Sequence, residues 1–161
     1  MEHLKKLLMS FVYGFRGIFR SIKSERNLRI HLVGATYMIS ILTLTDWFIL
    51  GRIEWAILLL CCGFVIGSEI MNTGIEDAVN HASKEYTEYG KRSKDAAAGA
   101  VIVSVITAIV VGFIILFQPK ALKTMFEYFV ANPAMFVLLV LSFIPATILI
   151  FFGLPKEKGK K

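Results

Sequence analysis

The stretch from Ser68 to Asn80, SEIMNTGIEDAVN, constrains this chain more than any other, because it places acids and amides at the end of a long apolar run. That run begins at Trp55 and is interrupted up to Ile70 only by two glycines, a serine and one glutamate. Ionisable side chains are costly inside an apolar helix and are usually kept there for a function. These polar groups are therefore the first candidates for a functional site.

Three polar residues of this stretch share one face of the predicted helix. At 100° per residue, Glu69, Asn72 and Glu76 fall within a sector of about 60°. Glu69 lies about 10 Å of helix rise further into the apolar layer than Glu76. Carboxylate oxygens suit Mg²⁺, which usually takes one or two of them together with phosphates and water. We predict that Glu76 meets a metal-bound nucleotide near the surface, while Glu69 meets a lipid.

Plainer interpretations of the same residues stay open at this point. Glu69 also fits a structural partner of another span, Glu76 a solvated helix end, and Asn72 a hydrogen bond between helices. Glu25 is the other acid at a comparable depth, and it suits either the second arm of a metal clamp or a surface ion pair with a neighbouring arginine. Further along, Lys94 and Asp95 precede the next apolar run. They fit nucleotide contacts, but Lys94 also fits a contact with lipid head groups and Asp95 an N-cap.

Composition sets the class of protein. Of the 161 residues, 56% are hydrophobic and only 19% are charged, and the mean hydropathy is +0.65. This leaves too little polar material to coat a soluble domain, so we predict an all-α polytopic membrane bundle. The net charge of +6 favours anionic lipid head groups over nucleic acid as partners, because the cations flank apolar segments. Cys61 and Cys62 are adjacent in an apolar run and suggest neither a disulfide nor a metal site.

The apolar runs predict a surface helix and four spans. An amphipathic helix over 4–23 is expected to lie flat on the membrane. Ser24 is a predicted cap for the first span. The spans are expected at about 28–50, 53–79, 96–117 and, after an interfacial segment, 133–154. Residues 1–118 are then the core, and 119–161 hold the interfacial segment, the fourth span and a basic tail.

The lysines and arginines predict the orientation. With four spans, fifteen lie on the side of both termini and the 81–95 loop, and three lie on the other. The positive-inside rule therefore puts the termini, the loop and the candidate site in the cytoplasm.

In the segments that hold the candidate site residues, the sequence resembles the prokaryotic diacylglycerol kinase family. GSEIMNTGIEDAV, KRSKDAAAGAV and SERNLRIH are similar to its motifs, the last to the Gram-positive branch that phosphorylates undecaprenol, and the likeness covers roughly residues 10–117. The resemblance implies a bacterial plasma-membrane enzyme, typically a homotrimer, that transfers the γ-phosphoryl of MgATP to a lipid hydroxyl. The products would be phosphatidic acid from diacylglycerol or undecaprenyl phosphate from undecaprenol.

The resemblance also implies roles for individual residues. Glu69 would be the general base with Asn72 beside it, and Glu25 and Glu76 would bind Mg²⁺ and the nucleotide. The remaining ATP contacts would be Glu85, Lys94 and Asp95. Two positions depart from the family pattern, which usually has Asp in place of Asn80 and often His in place of Thr87.

Two rival functions belong to other classes. A small four-span transporter would use Glu69 as a proton or cation site, but it would want the acid near the midplane and symmetry between the halves. A non-catalytic assembly protein leaves the polar face of the second span unexplained. In this chain the acids instead crowd towards one face of the membrane, and the second half of the chain lacks them.

Overall fold

The structure is a computed structural model that describes residues 2–83 and 85–153. In this part of the chain there are six α-helices and no strand, which confirms the predicted all-α membrane bundle. The helices are α1 Glu2–Ser24, α2 Arg26–Leu44, α3 Arg52–Ala82, α4 Glu88–Leu116, α5 Pro119–Ala131 and α6 Pro133–Phe152.

Three of these helices, α3, α4 and α6, are long and apolar enough to cross a membrane. The helix α2 is not among them, and it ends at Leu44, six residues before the predicted limit of the first span. At Thr45 the backbone is extended, and the Thr45 hydroxyl donates to the Ile41 carbonyl at 2.7 Å. The 19 residues of α2 span about 28 Å, close to the thickness of the hydrocarbon layer. That α2 crosses the membrane stays a prediction.

Two predicted boundaries near the polar segments are wrong. The expected 81–95 loop is largely helical, because α3 continues to Ala82 and α4 already begins at Glu88. Thr87 caps α4 by accepting a hydrogen bond from the Gly90 N–H at 3.1 Å, so Asp95 lies two turns inside the helix and is not its cap. Membrane-adjacent polar residues thus extend the helix instead of forming a loop.

The predicted cap at Ser24 is also wrong. Ser24 is the last residue of α1, and its hydroxyl donates back to the Arg20 carbonyl at 3.2 Å. The residue preceding α2 is Glu25, whose side chain makes no cap hydrogen bond. The carboxylate of Glu25 therefore makes no capping hydrogen bond to the backbone of α2.

The helices are arranged so that their polar termini meet at two ends of the bundle. Helix α3 packs along α4, α2 packs on α3, and α6 packs on α2. At one end, called here the site end, lie the start of α2, the end of α3, the start of α4 and the end of α6. At the opposite end the Gln118 side chain bonds both backbone groups of Ile49, and Trp47 packs on Tyr128.

Few side chains are buried within the described chain. The buried apolar residues are Leu28, Leu58, Val65, Ala97, Val101 and Ala121. Apolar burial does not drive helix association inside a lipid bilayer, so close packing and interhelical hydrogen bonds must hold the helices. The hydroxyl groups of Ser68 and Ser104, 2.8 Å apart, make one such bond between α3 and α4.

The predicted fourth span is α6, which contains Pro145 and ends at Phe152. The preceding interfacial segment is the short helix α5. Leu154, the basic tail 156–161 and Lys84 lie outside the described residues, so the parts of the charge count that depend on them stay a prediction.

Candidate active site

Glu69 is the most buried acid of the site, with 3% of its surface exposed. Its carboxylate Oε1 lies 3.4 Å from Nε2 of His31 on α2. One turn later, the Thr73 hydroxyl donates to the Glu69 carbonyl at 2.9 Å, which uses up that hydroxyl within α3. The buried carboxylate is therefore contacted by His31 from another helix.

A line of polar side chains runs along α3 from Glu69 towards the end of the helix. It is called here the polar stripe and consists of Glu69, Asn72, Glu76 and Asn80, spaced so that each lies one turn from the next. The Asn72 amide donates to Oε1 of Glu76 at 3.0 Å. The Asn72 carbonyl oxygen is buried and has no hydrogen-bond partner within residues 2–83 and 85–153. The stripe thus presents an unused oxygen between its two acids.

Glu25 approaches the stripe from the start of α2. It is half-buried, and the charges of both Glu25 and Glu76 act on the Glu69 carboxylate. None of the ion pairs formed by the described residues includes Glu25, so the alternative of a surface pair with Arg26 or Arg29 is wrong. The site end therefore holds three carboxylates, those of Glu25, Glu69 and Glu76.

A cavity of about 300 Å³ lies between the end of α3 and the start of α4, and is called here the α3–α4 cavity. Its lining consists of Val79, Asn80, Ser83, Glu85, Tyr86, Thr87, Gly90, Lys91, Lys94 and Asp95. Across it, the Lys94 ammonium donates to the side-chain amide oxygen Oδ1 of Asn80 at 2.7 Å. A methyl group in place of Gly90 would lie 2.8 Å from the Thr87 hydroxyl and 2.9 Å from the Val79 side chain, so these groups would have to shift.

An apolar groove begins on the other side of Glu69, between α2 and α4. It is formed by two adjoining cavities of about 320 and 330 Å³ that share Ile30, His31 and Val105. One contains Glu69, and the other continues along the helices past Gly34 and Gly112. The groove is called here the lateral groove, and the buried carboxylate of Glu69 lies at its polar end.

The predicted site residues form two groups. Glu25, Asn72 and Glu76 belong with the buried Glu69, whereas Glu85, Lys94 and Asp95 line the α3–α4 cavity. The polar stripe joins the groups through Asn80. Within the described chain no cluster of three or more His, Cys, Asp or Glu side chains is able to hold a metal alone. A metal at Glu25 and Glu76 would need further oxygen ligands.

His31 is the site residue that the sequence analysis missed. It ends the SERNLRIH motif and stands at the start of an apolar run, so a titratable side chain in an apolar helix was the available signal. Its contact with Glu69 joins two helices, and the periodicity of hydrophobic residues within one helix does not predict such a contact.

The fold and this site define a helical membrane protein in which a buried carboxylate lies between an apolar groove and a polar cavity. The chain is 35% identical over 119 residues to the undecaprenol kinase of Bacillus subtilis, covering 74% of this chain and 94% of that kinase. It is 34% identical over 114 residues to a diacylglycerol kinase of Synechocystis, covering 70% of this chain and 63% of the relative. The model of the prokaryotic diacylglycerol kinase family matches residues 12–116, and the chain belongs to this family.

Membership in this family makes the protein a lipid kinase that uses ATP and a lipid, and it sets aside the transporter and assembly-protein alternatives. A diacylglycerol kinase of Helicobacter pylori is more distant, at 26% identity over 102 residues, covering 63% of this chain and 77% of the relative. No solved structure matches the chain.

Proposed function

We propose that the protein transfers the γ-phosphoryl group of MgATP to the hydroxyl of diacylglycerol or undecaprenol, at the cytoplasmic face of a bacterial plasma membrane. The observation that supports this best is the polar stripe, because it connects an apolar groove to a polar cavity. From Glu69 to Asn80 the stripe measures about 16 Å along the helix. An extended nucleotide held at Asn80 can therefore reach towards the buried acid with its terminal phosphate.

The α3–α4 cavity is the proposed nucleotide site. Lys94 supplies a positive charge for phosphate oxygens, while Glu85 and Asp95 supply acceptors for the hydroxyl or amino groups of the nucleoside. The bond from Lys94 to Asn80 fixes the ammonium across the cavity before a nucleotide arrives. Asp at the position of Asn80 would pair with this lysine more strongly, so the asparagine leaves more of the lysine charge for phosphate.

The proposed metal ligands are Glu25 and Glu76. Both are carboxylates, the donor type that Mg²⁺ prefers, and both lie at the site end, Glu25 before the start of α2 and Glu76 near the end of α3. The unpartnered carbonyl oxygen of Asn72, whose amide holds Glu76, offers a further oxygen or a contact for metal-bound water. These residues fit a magnesium ion that is completed by phosphate oxygens and water. When bound, the metal neutralises charge on the phosphates.

Glu69 is the proposed general base. It accepts the proton of the lipid hydroxyl as the hydroxyl oxygen bonds to the γ-phosphorus and the bond to ADP breaks. His31 positions the carboxylate by contacting it from α2, and Asn72 orients the neighbouring acid. The lipid chain lies in the lateral groove, so its hydroxyl meets Glu69 at the polar end.

The cytoplasmic placement rests on the positive-inside count, and the proposed homotrimer rests on the resemblance. Cross-linking in membranes followed by mass measurement of the solubilised complex tests the trimer. A species with three chains is expected, and a monomer that is fully active would contradict it.

The experiment that tests the function is transfer of labelled γ-phosphate from ATP in lipid nanodiscs by the purified protein. Diacylglycerol and undecaprenol are supplied separately, with Mg²⁺ or with a chelator. Labelled lipid is expected only with Mg²⁺, from one or both acceptors. Absence of labelled lipid from both acceptors, with a folded protein and Mg²⁺ present, would contradict the proposal.

A further inference from the structure

The last helix, α6, lies outside the residues matched by the family model, yet it is attached to α2 by specific polar contacts. The hydroxyl groups of Tyr37 and Ser142 are 2.8 Å apart, and the Tyr37 ring stacks on Phe143 with centroids 5.1 Å apart. Interhelical hydrogen bonds of this kind hold helices together in a bilayer. Helix α6 is thus docked along α2 and is not a separate anchor.

At the site end, α6 is joined to the active site region through Arg29. This residue is 6% exposed. Its Nη1 donates to the carbonyl oxygens of Ile22 at 2.9 Å and Lys23 at 3.2 Å, both at the end of α1. Its Nε donates to the carbonyl oxygen of Ile150, at the end of α6, at 3.1 Å. One guanidinium therefore connects α1, α2 and α6.

The charge of Arg29 is balanced by helix ends and not by an acid. Among the described residues no Asp or Glu forms an ion pair with it. Each helix C-terminus carries about half a negative charge, and Arg29 bonds to two of them. Removing the end of α6 would leave a buried cation with half of this compensation.

The end of α6 is shaped to approach Arg29. Gly153 has φ 68° and ψ −169°, a backbone conformation adopted almost only by glycine. A methyl group at this position would lie 3.4 Å from the guanidinium carbon of Arg29. Beside it, the guanidinium carbon of Arg26 lies 5.8 Å from the ring centre of Phe151, within the range of a cation–π contact.

We propose that α6 is a positioning element for the active site and that Arg29 is the residue through which it acts. Arg29 holds the junction between α1 and α2 in place through its bonds to the end of α1, and Glu25 is the one residue between the two helices. Holding α6 against Arg29 therefore fixes where the Glu25 carboxylate stands relative to Glu69. This inference rests on the proposed role of Glu25 as a metal ligand.

The match to the Bacillus subtilis kinase covers 94% of that relative, and the family model ends before α5. Helix α6 thus adjusts a site that lies within the shared core. Loosening it should weaken metal binding without removing the base. The expected change is in the Mg²⁺ concentration for half-maximal activity, with kcat preserved.

Two variants of the full chain test the connection, each with a matched control. Gly153→Ala strains the end of α6, and Gly63→Ala is its control, since Gly63 has open space around it. Arg29→Lys removes the multiple bonds but keeps the charge, and the exposed Arg20→Lys is its control.

The first readout is structural and does not depend on activity. Spin labels are placed at positions 19 and 148, which are exposed on α1 and α6, with Cys61 and Cys62 replaced. Labelled protein is diluted with unlabelled protein so that only distances within one chain are measured. We expect a narrow distance distribution in the parent and both controls and a broad one in Gly153→Ala and Arg29→Lys. Unchanged distributions in both variants would overturn the connection.

The second readout is the Mg²⁺ dependence of phosphoryl transfer. In both variants the half-saturating Mg²⁺ should rise about 2-fold to 30-fold with kcat unchanged and with recovery at high Mg²⁺. Broadened distances with an unchanged Mg²⁺ dependence, or an equal loss of kcat at every Mg²⁺ concentration, would overturn the positioning role. An inactive parent protein would contradict the proposed kinase function instead, and the distance measurement would still decide whether Arg29 holds α6.

Discussion

The replacement Glu69→Gln tests the proposed base most directly, because glutamine keeps the shape of the side chain and removes its negative charge and its ability to accept the proton. Glu69 is buried and faces His31 at 3.4 Å, a contact that glutamine can replace by a neutral hydrogen bond. Side-chain hydrogen bonds between membrane helices contribute about 0.6 kcal/mol on average, so the effect on stability should be small. A positioned general base accelerates transfer about 10²- to 10⁴-fold, which corresponds to about 2.7 to 5.4 kcal/mol of the barrier.

The assay measures kcat for lipid phosphorylation and, separately, the affinity for a non-hydrolysable MgATP analogue. We expect kcat to fall by the factor given above, while affinity for the analogue stays the same because the α3–α4 cavity is intact. Glu54→Gln, in the first turn of the same helix at the opposite end, is the matched control and should keep full activity. An equal loss of MgATP affinity, or a loss of kcat under tenfold, would refute the assignment of Glu69 as base.

Glu76→Gln and Glu25→Gln should each raise the Mg²⁺ needed for half-maximal activity and be partly rescued by excess Mg²⁺; unchanged metal titrations in both would exclude these residues as ligands. Lys94→Met should raise KM for ATP about tenfold, the effect of losing about 1.4 kcal/mol of phosphate contact, and leave KM for the lipid unchanged; an effect on the lipid alone would place the nucleotide elsewhere. For the orientation, cysteines at positions 86 and 123 are compared in a Cys61- and Cys62-free background. An impermeant thiol reagent should label position 123 in intact cells and position 86 only after permeabilisation, and the reverse pattern would contradict a cytoplasmic site.

The sequence predicted those parts of the structure that depend on one helix at a time. The shared face of Glu69, Asn72 and Glu76 follows from the helical repeat, and it appears as the bond between the last two side chains. The apolar runs located the helices but not their ends, because apolar composition marks only the portion of a helix that contacts lipid. Helix α4, for example, is capped by Thr87, well before its apolar portion begins. The contacts of Arg29 join residues far apart in the sequence, and nothing in a linear pattern pairs them.

The lateral groove has a consequence for how this enzyme must be measured. Two of its lining residues, Ile102 and Ile106, are 58% and 56% exposed on the apolar outer surface of α4. A lipid in this groove enters from within the membrane plane, whereas ATP arrives from water. The relevant concentration of the lipid is therefore its concentration in the membrane, whereas that of ATP is its concentration in solution. The rate should follow the mole fraction of acceptor among the surrounding lipids and not the bulk concentration of acceptor. Diluting the bilayer with inert lipid at fixed total acceptor should slow the reaction, while adding buffer at fixed ATP concentration should leave turnover per enzyme unchanged.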